Sequence, residues 1–181
     1  MASKLRYPNL RESIETVVIA PSTILVGVSD RTVWVRVEGK GSFQNATGLK
    51  QFGKEMTNRG FRQFVFDLKQ CPVMDSTFMG TLTSIAMHLR ELGSGQLSIV
   101  NLNERNRDLL SNLGLDRFFN MGSSPSPVPV QGVLPAVAED KQTRAETMIA
   151  AHEAVVAANP ANEAKFKDVL DYLKQDLHLP R

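Results

Sequence analysis

The pattern of apolar and polar positions opens with two short β-rich segments. Residues 24–28 are mostly aliphatic, and a three-residue polar stretch separates them from residues 32–38. In the second segment apolar side chains occupy every other position, at Val33, Val35 and Val37. This arrangement predicts a β-hairpin. Trp34 lies on the opposite face of the second strand, which indicates that this face is also covered, by packing or by a partner.

A helix and a buried strand follow the hairpin. In residues 42–59 apolar side chains recur at three- and four-residue steps, which predicts an amphipathic helix that Gly60 ends. Its apolar positions are Leu49, Phe52 and Met56. Residues 61–68 hold three phenylalanines and a valine in a compact run, which predicts a strand covered on both faces, as in a parallel sheet.

The second helix has the clearest pattern in the chain. It ends at Gly93, and its apolar stripe consists of Phe78, Leu82, Ile85, Leu89 and Leu92. Residues 96–100 form another apolar strand, and a leucine-rich stretch predicts a third helix that stops at Gly114. The pair Phe118 and Phe119 forms a last short strand or a docked end.

This alternation of strands and helices predicts an α/β fold, a parallel or mixed sheet with helices packed on it. We expect the ordered domain to span residues 21–122, after an N-terminal segment of residues 1–20. Residues 123–140 are rich in proline and serine, which predicts an extended linker without a core.

Residues 141–181 predict a pair of amphipathic helices. One apolar face consists of Met148, His152, Val155 and Val156, and the other of Phe166, Val169, Leu170, Leu173 and Leu177. Asn159 and Pro160 lie between them and suit the cap and first position of the second helix. Two short amphipathic helices cannot bury such faces alone. They pair with each other, with the domain, with a second subunit or with a partner, and the pattern leaves this choice open.

Composition and charge narrow the classes of function. The chain is 42% hydrophobic and 22% charged, which is typical of a protein that folds by burial alone. The net charge is +2 and the basic residues are scattered, which argues against nucleic acid as a partner. The single cysteine, Cys71, allows no intrachain disulfide and is expected to be a buried, inert thiol. No apolar window reaches the length of a membrane span, and the N-terminus does not resemble a secretory signal, so we expect a cytoplasmic protein.

The chain carries none of the familiar catalytic or cofactor motifs. It has no phosphate-binding loop, and the glycines at 39 and 41 are expected to form a turn. The histidines at 88, 152 and 178 lack the spacing of a metal site. Asp67 and Asp75 are a conceivable carboxylate pair, but single acids at strand ends usually cap turns. We therefore expect a protein that is not an enzyme and binds no cofactor.

The step Asp75-Ser76-Thr77 lies at the carboxyl end of a central strand, where sites on α/β sheets tend to occur. Ser76 directly precedes the stripe of the second helix, which predicts that its hydroxyl is the N-cap. A phosphate at a helix N-terminus is favoured by the dipole, so phosphorylation here should not unfold the domain. Its effect would appear at a partner surface.

Residues 74–82, with the sequence MDSTFMGTL, resemble the phosphoacceptor segment of anti-sigma factor antagonists, which are bacterial STAS domains. The opening hairpin, the strand at residues 64–68 and the segment from residue 101 to Phe118 resemble successive elements of that family. The resemblance spans roughly residues 24–121.

The resemblance implies a STAS-like mixed sheet and a phosphorylation-controlled partner switch. The unphosphorylated protein would bind an anti-sigma factor that is itself a serine kinase, and phosphorylation of Ser76 would release it. Thr77 is the rival acceptor. ATP would be bound by the kinase partner. The implied partner-binding residues are Asp75, Ser76, Thr77, Phe78 and Met79.

Two departures from the family pattern define the alternative. Phe78 stands where the family usually has glycine, and we expect its ring to alter kinase access. The segment beyond residue 122 is missing from the small members, and we expect it to affect partner choice or self-association. The alternative is therefore a STAS-type scaffold or small-ligand sensor in which Ser76 is only a cap.

Overall fold

The architecture is known from a computed structural model, which describes residues 22–124 and 127–179. The predicted N-terminal segment lies outside the described residues. In chain order the elements are β1 (Thr23–Ser29), β2 (Thr32–Glu38), α1 (Phe43–Asn58), β3 (Gln63–Gln70), α2 (Ser76–Glu91), β4 (Gln96–Val100), α3 (Glu104–Asn112), β5 (Asn120–Gly122), β6 (Gly132–Val133), α4 (Lys141–Ala158) and α5 (Glu163–Asp176). The predicted α/β fold with a C-terminal helical extension is confirmed.

The strands form one mixed sheet in the order β5-β4-β3-β2-β1-β6. The predicted hairpin is confirmed, since β1 and β2 pair antiparallel, and β2 to β5 then run parallel. The register places Val35 opposite Phe66, and Phe66 opposite Ile99, so one face of the sheet carries a continuous apolar stripe. Helices α1 and α2 pack their apolar faces on this stripe and form the main core.

The helix ends follow the glycine signals in the sequence. Gly60, Gly93 and Gly114 come just after α1, α2 and α3, and each has a positive φ, of 92°, 88° and 65°. Cys71 is fully buried at the end of β3, and burial raises the pKa of its thiol. The expectation of a buried thiol is therefore confirmed.

The prediction that residues 123–140 form a linker without a core is wrong. Residues 127–131 lie over the face of the sheet away from α1 and α2, and β6 then pairs with β1. The Ser124 amide donates to Asn101 Oδ1 over 3.0 Å, the Gln131 amide donates to the Val26 carbonyl over 2.9 Å, and Val128 is only 5% exposed. A proline-rich composition reports an extended backbone, but not the surface on which that backbone lies.

We call residues 127–131 the crossing segment. It passes over Gly27, which pairs with Trp34 in the register of β1 and β2. The face that carries Trp34 is therefore covered in part by packing within the chain, and Trp34 is half-buried. The pair Phe118 and Phe119 ends a 3-10 turn before β5, and Phe119 is buried.

The C-terminal helices pack on the domain and on each other. Helix α4 lies against α2 and α1, and α5 lies against α4. Val155 and Ala158 of α4 join the main core, while Ala145, Ile149 and Leu173 form a second, small cluster. The apolar faces predicted for these two helices are thus covered in part within a single chain: three of their residues are buried and the others half-buried, the buried ones being His152, Val155 and Leu173. In the described ranges no helix is long and apolar enough to span a bilayer.

Replacement of Gly27 should release the crossing segment. A Cβ atom at Gly27 would lie 2.1 Å from the Pro129 carbonyl oxygen, so Gly27→Ala must displace this segment or bend the strand. We expect the free energy of unfolding in urea to fall by about 1–3 kcal/mol. Gly132→Ala in β6 is the control, because nothing lies within 4 Å of its added Cβ. Equal stability of the two variants would contradict this packing.

Candidate functional site

The carboxylate of Asp75 joins the N-termini of two helices. One oxygen accepts from the Phe78 amide over 2.9 Å and so caps α2, while the other accepts from the Phe43 amide over 2.9 Å at the start of α1. The Asp75 amide donates to the Gly41 carbonyl over 2.9 Å, which ties the segment after β3 to the segment before α1. A negative charge between two helix N-termini is favoured by both helix dipoles.

The prediction that Ser76 is the N-cap is wrong, because Asp75 holds that position and Ser76 is the first residue of α2. Physically, the carboxylate can serve two amides from one residue earlier, which a single hydroxyl cannot do as well. The Ser76 hydroxyl is therefore not used for capping. It points towards the C-terminal extension, and Ser76 remains half-buried.

The Ser76 hydroxyl shares a hydrogen bond with His152 of α4. The distance from Ser76 Oγ to His152 Nε2 is 3.0 Å. The His152 ring is 3% exposed and stacks on Phe166 of α5, with 5.2 Å between ring centroids and 27° between planes. Helix α2 thus meets α4 and α5, which lie far from it in sequence, at the predicted acceptor.

Burial lowers the pKa of the His152 imidazole below its ordinary value of 6.5, because the charged ring would lose its hydration. The negative charge of Asp75 opposes this shift but is the smaller effect. The imidazole beside Ser76 is therefore predominantly neutral at neutral pH, so that its hydrogen bond with the serine is one between uncharged groups.

The other residues predicted to bind a partner point inward. Thr77, Phe78 and Met79 are all buried, and Phe78 is fully buried in the main core. The Phe78 ring packs against Gly41, where a Cβ atom would lie 2.7 Å from it. The expectation that this ring alters access to Ser76 is therefore wrong, since it faces away from the surface. Among the five predicted residues, Asp75 and Ser76 remain half-buried.

A close approach of α2 and α4 was missed from the sequence. A Cβ atom at Gly80 would lie 2.2 Å from the Ala151 carbonyl oxygen, so the two helix backbones touch one turn beyond Ser76. A signal for this contact does exist in the sequence. Ser76 and Gly80 are small residues four positions apart on one face of α2, which permits close helix packing.

The other candidate acids and histidines serve different roles. Asp67 is buried and binds Arg36 at 3.3 Å and Asn101 at 2.9 Å, so it belongs to a network separate from Asp75. His88 lies on the surface near Glu91 at 3.7 Å. Within residues 22–124 and 127–179, no group of three or more acidic, histidine or cysteine side chains is arranged to hold a metal.

Comparison with known families and structures adds an independent observation. The family model of the STAS domain matches residues 23–126, which is more than half of the chain. A comparison with curated proteins found no matching sequence.

Two solved structures of one protein, TM1081, share the fold. The crystal structure of TM1081 from Thermotoga maritima, assigned as an anti-sigma factor antagonist, is 21% identical, covers 56% of this chain and 87% of its own, and has a TM-score of 0.52. The NMR structure of TM1081 is 20% identical, covers 68% and 91%, and has a TM-score of 0.51. The Bacillus cell fate determinant SpoIIAA in its phosphorylated form is 17% identical, covers 56% and 92%, and has a TM-score of 0.47.

Removal of the Asp75 carboxylate should destabilise both helix starts. We expect Asp75→Ala to lower the free energy of unfolding by about 2–3 kcal/mol, because two amides lose their acceptor. Asp140→Ala is the matched single cap, since Asp140 accepts from the Thr143 amide over 2.7 Å at the start of α4. Its loss should be clearly smaller, because it caps one exposed amide only. Urea denaturation measures both, and equal losses would contradict the double role of Asp75.

Acid should weaken the packing around His152. Its pKa in the folded protein is lowered below that of the unfolded chain, so the stabilisation is fully present above pH 6.5 and is lost as pH falls through the folded pKa. We expect the free energy of unfolding to fall more between pH 7.5 and 5.5 in the wild type than in His152→Gln, which cannot titrate. Parallel pH profiles of the two proteins would rule out this role for His152.

Proposed function

This chain belongs to the STAS domain family, and from that premise we propose that it is an anti-sigma factor antagonist whose Ser76 is phosphorylated by its protein partner. The partner is an anti-sigma factor that is also a serine kinase. The unphosphorylated chain binds this partner, and phosphorylation ends the complex. ATP is bound by the partner, and both proteins act in the cytoplasm.

The observation that carries the proposal is the position of the Ser76 hydroxyl. Ser76 is the first residue of α2, its hydroxyl takes no part in capping, and the residue keeps part of its surface exposed. The rival acceptor Thr77 is buried, with 3% of its surface exposed, which favours Ser76. Both residues lie on a turn that Asp75 holds in place from the preceding position.

The electrostatics of this turn suit a reversible charge. A phosphoserine carries a charge of about −1.5 to −2 at neutral pH. At the first turn of α2 the helix dipole offsets this charge by roughly 0.3–1 kcal/mol, so the helix should tolerate it. The Asp75 carboxylate nearby is held by two amide donors. The large effect falls on the complex, where an unpaired charge at a buried interface costs several kcal/mol.

A second function has one observation in its favour. The hydrogen bond between Ser76 and His152 gives the serine a structural partner even without phosphorylation. A STAS-type scaffold or small-ligand sensor would need nothing more from this residue. Self-association through α4 and α5 is a separate prediction. Measuring the molar mass of the protein in solution tests it.

Phosphate mapping distinguishes the two functions. We expect protein isolated from its own cells to carry phosphate on Ser76 by mass spectrometry, and Ser76→Ala to carry none. Thr77→Ser is the matched control, because it keeps a hydroxyl at the rival position and leaves Ser76 intact. Phosphate that persists in Ser76→Ala would show that another residue is the acceptor. Its absence from the wild type, together with a stable partner complex, would favour the scaffold.

The switch itself is tested by partner affinity. Copurification with wild-type and Ser76→Ala baits should recover the same partner. With this purified partner, we expect Ser76→Asp to bind at least about 100-fold more weakly, because the carboxylate introduces an unpaired charge at the interface. Ser76→Asn is the uncharged control of similar size and should bind within a few fold of wild type. Equal affinity of Ser76→Asp and wild type would end the switch proposal.

A further inference from the structure

Helix α2 is packed from two sides. Its stripe of large apolar residues lies on the sheet, while Ser76 and Gly80 face α4. Ten of its sixteen residues are buried: Thr77, Phe78, Met79, Gly80, Thr81, Leu82, Thr83, Ile85, Ala86 and Leu89. The face of α2 that presents Ser76 is thus a helix-docking face, and α4 already occupies it.

The fit between the two helices leaves no room for a second protein. The Ala151 carbonyl oxygen lies 2.2 Å from where a Cβ of Gly80 would be, and His152 contacts the Ser76 hydroxyl directly. A kinase active site must surround the hydroxyl that it modifies, and a phosphate on Ser76 would need the volume that His152 fills. Docked α4 and a bound partner therefore exclude each other at this face.

The extension, which we define as α4 and α5 together, is joined to the sheet through an exposed connection. Residues 135–138, between β6 and Asp140, are exposed and connect α4 to the sheet as a tether. Polar contacts hold both of its ends. Thr47 of α1 bonds Thr147 over 3.1 Å and also bonds Glu139. At the junction of α4 and α5, the Asn162 amide donates to the Leu113 carbonyl over 2.8 Å, and three further side chains donate to carbonyls across the contact, Asn159 to Leu113, Lys165 to Asn112 and Arg117 to Ala158. None of these contacts involves a strand of the sheet.

We propose that α4 is an internal competitor for the partner-binding face of α2, so that the chain alternates between a closed state, in which His152 holds the Ser76 hydroxyl, and an open state that binds the anti-sigma factor kinase. This inference rests on the proposed function of Ser76. The apparent affinity for the partner is set by the open fraction. Because linkage is reciprocal, phosphorylation of Ser76 drives α4 away as strongly as docked α4 opposes phosphorylation.

Gly80→Ala opens the extension without weakening α2 itself. Alanine is the better helix former, yet its Cβ collides with the Ala151 backbone. Gly48→Ala in α1 is the matched control, because this is also a helical glycine and its added Cβ would meet ordinary contacts at 3.4 Å or more. His152→Ala is a second opening variant, which removes the Ser76 bond and the ring stack on Phe166.

Hydrogen exchange of the full-length proteins reports the opening. We expect amides of α4 to exchange at least about tenfold faster in Gly80→Ala than in Gly48→Ala or wild type, and those of β3 and β4 to exchange at the wild-type rate. His152→Ala should also increase the exchange rate of the α4 amides, but by a smaller factor. Unchanged exchange of α4 in both opening variants would overturn the inference. Faster exchange throughout the sheet would overturn it as well, since α4 would then not leave independently.

Access to position 76 is measured with iodoacetamide on a Ser76→Cys background, with each labelled cysteine assigned by mass spectrometry. The rate is compared at pH 9.5, above the ordinary thiol pKa of about 8.5, so that it reports access and not activation by His152. Labelling should be about tenfold faster when Gly80→Ala is added, and unchanged when Gly48→Ala is added. Equal rates in all three proteins would mean that α4 does not cover this position, and the inference would fail.

Phosphate occupancy in the cell separates this inference from the function on which it rests. Higher occupancy of Ser76 in Gly80→Ala than in Gly48→Ala supports both. Equal, substantial occupancy despite faster exchange of α4 contradicts the competition and leaves the switch intact. A third outcome is that no variant carries phosphate, although α4 is open and position 76 is labelled rapidly. This result supports the docking of α4 over Ser76 and contradicts the phosphorylation switch.

Discussion

The contact between the backbones of α2 and α4 at Gly80 and Ala151 is the constraint on which the site depends. Only glycine at position 80 lets the helices approach this closely, and the approach brings His152 within 3.0 Å of Ser76. It also gives α4 and α5 the apolar cover that two isolated amphipathic helices lack. A single missing side chain therefore decides both the stability of the extension and the environment of the candidate acceptor.

Asp75 is the second constraint on the site, because this residue caps the helices and so leaves Ser76 available for phosphorylation. Its carboxylate holds the starts of α1 and α2, so the adjacent serine is free from capping. A hydroxyl without a capping duty can change its charge while the helix beneath it stays intact. Phe78 contributes from the other side, since its buried ring anchors the same turn in the core.

The C-terminal extension lies beyond the part of the chain that matches the STAS domain. The family match ends at residue 126, and α4 and α5 follow it and pack on the helix that carries Ser76. In the competition that we propose, control of access to Ser76 lies within the same chain. Affinity for the proposed partner would then depend on an internal equilibrium as well as on the interface, and a change in the packing of α4 would alter it.

By itself the sequence determined the order of strands and helices from β1 to α3, the two C-terminal helices, the glycine stops and the place of Asp75 and Ser76 at a strand-to-helix junction, but not β6. These features follow from the local apolar periodicity and from the turn residues, and they do not depend on distant residues. Tertiary structure decided that Asp75 and not Ser76 is the cap, that Phe78 points into the core, that residues 127–131 cross the sheet, and that His152 reaches Ser76. Each of these depends on segments far apart in the chain. Which surfaces meet is set by the shape and volume of the packed elements, and apolar periodicity shows only that a face needs a neighbour.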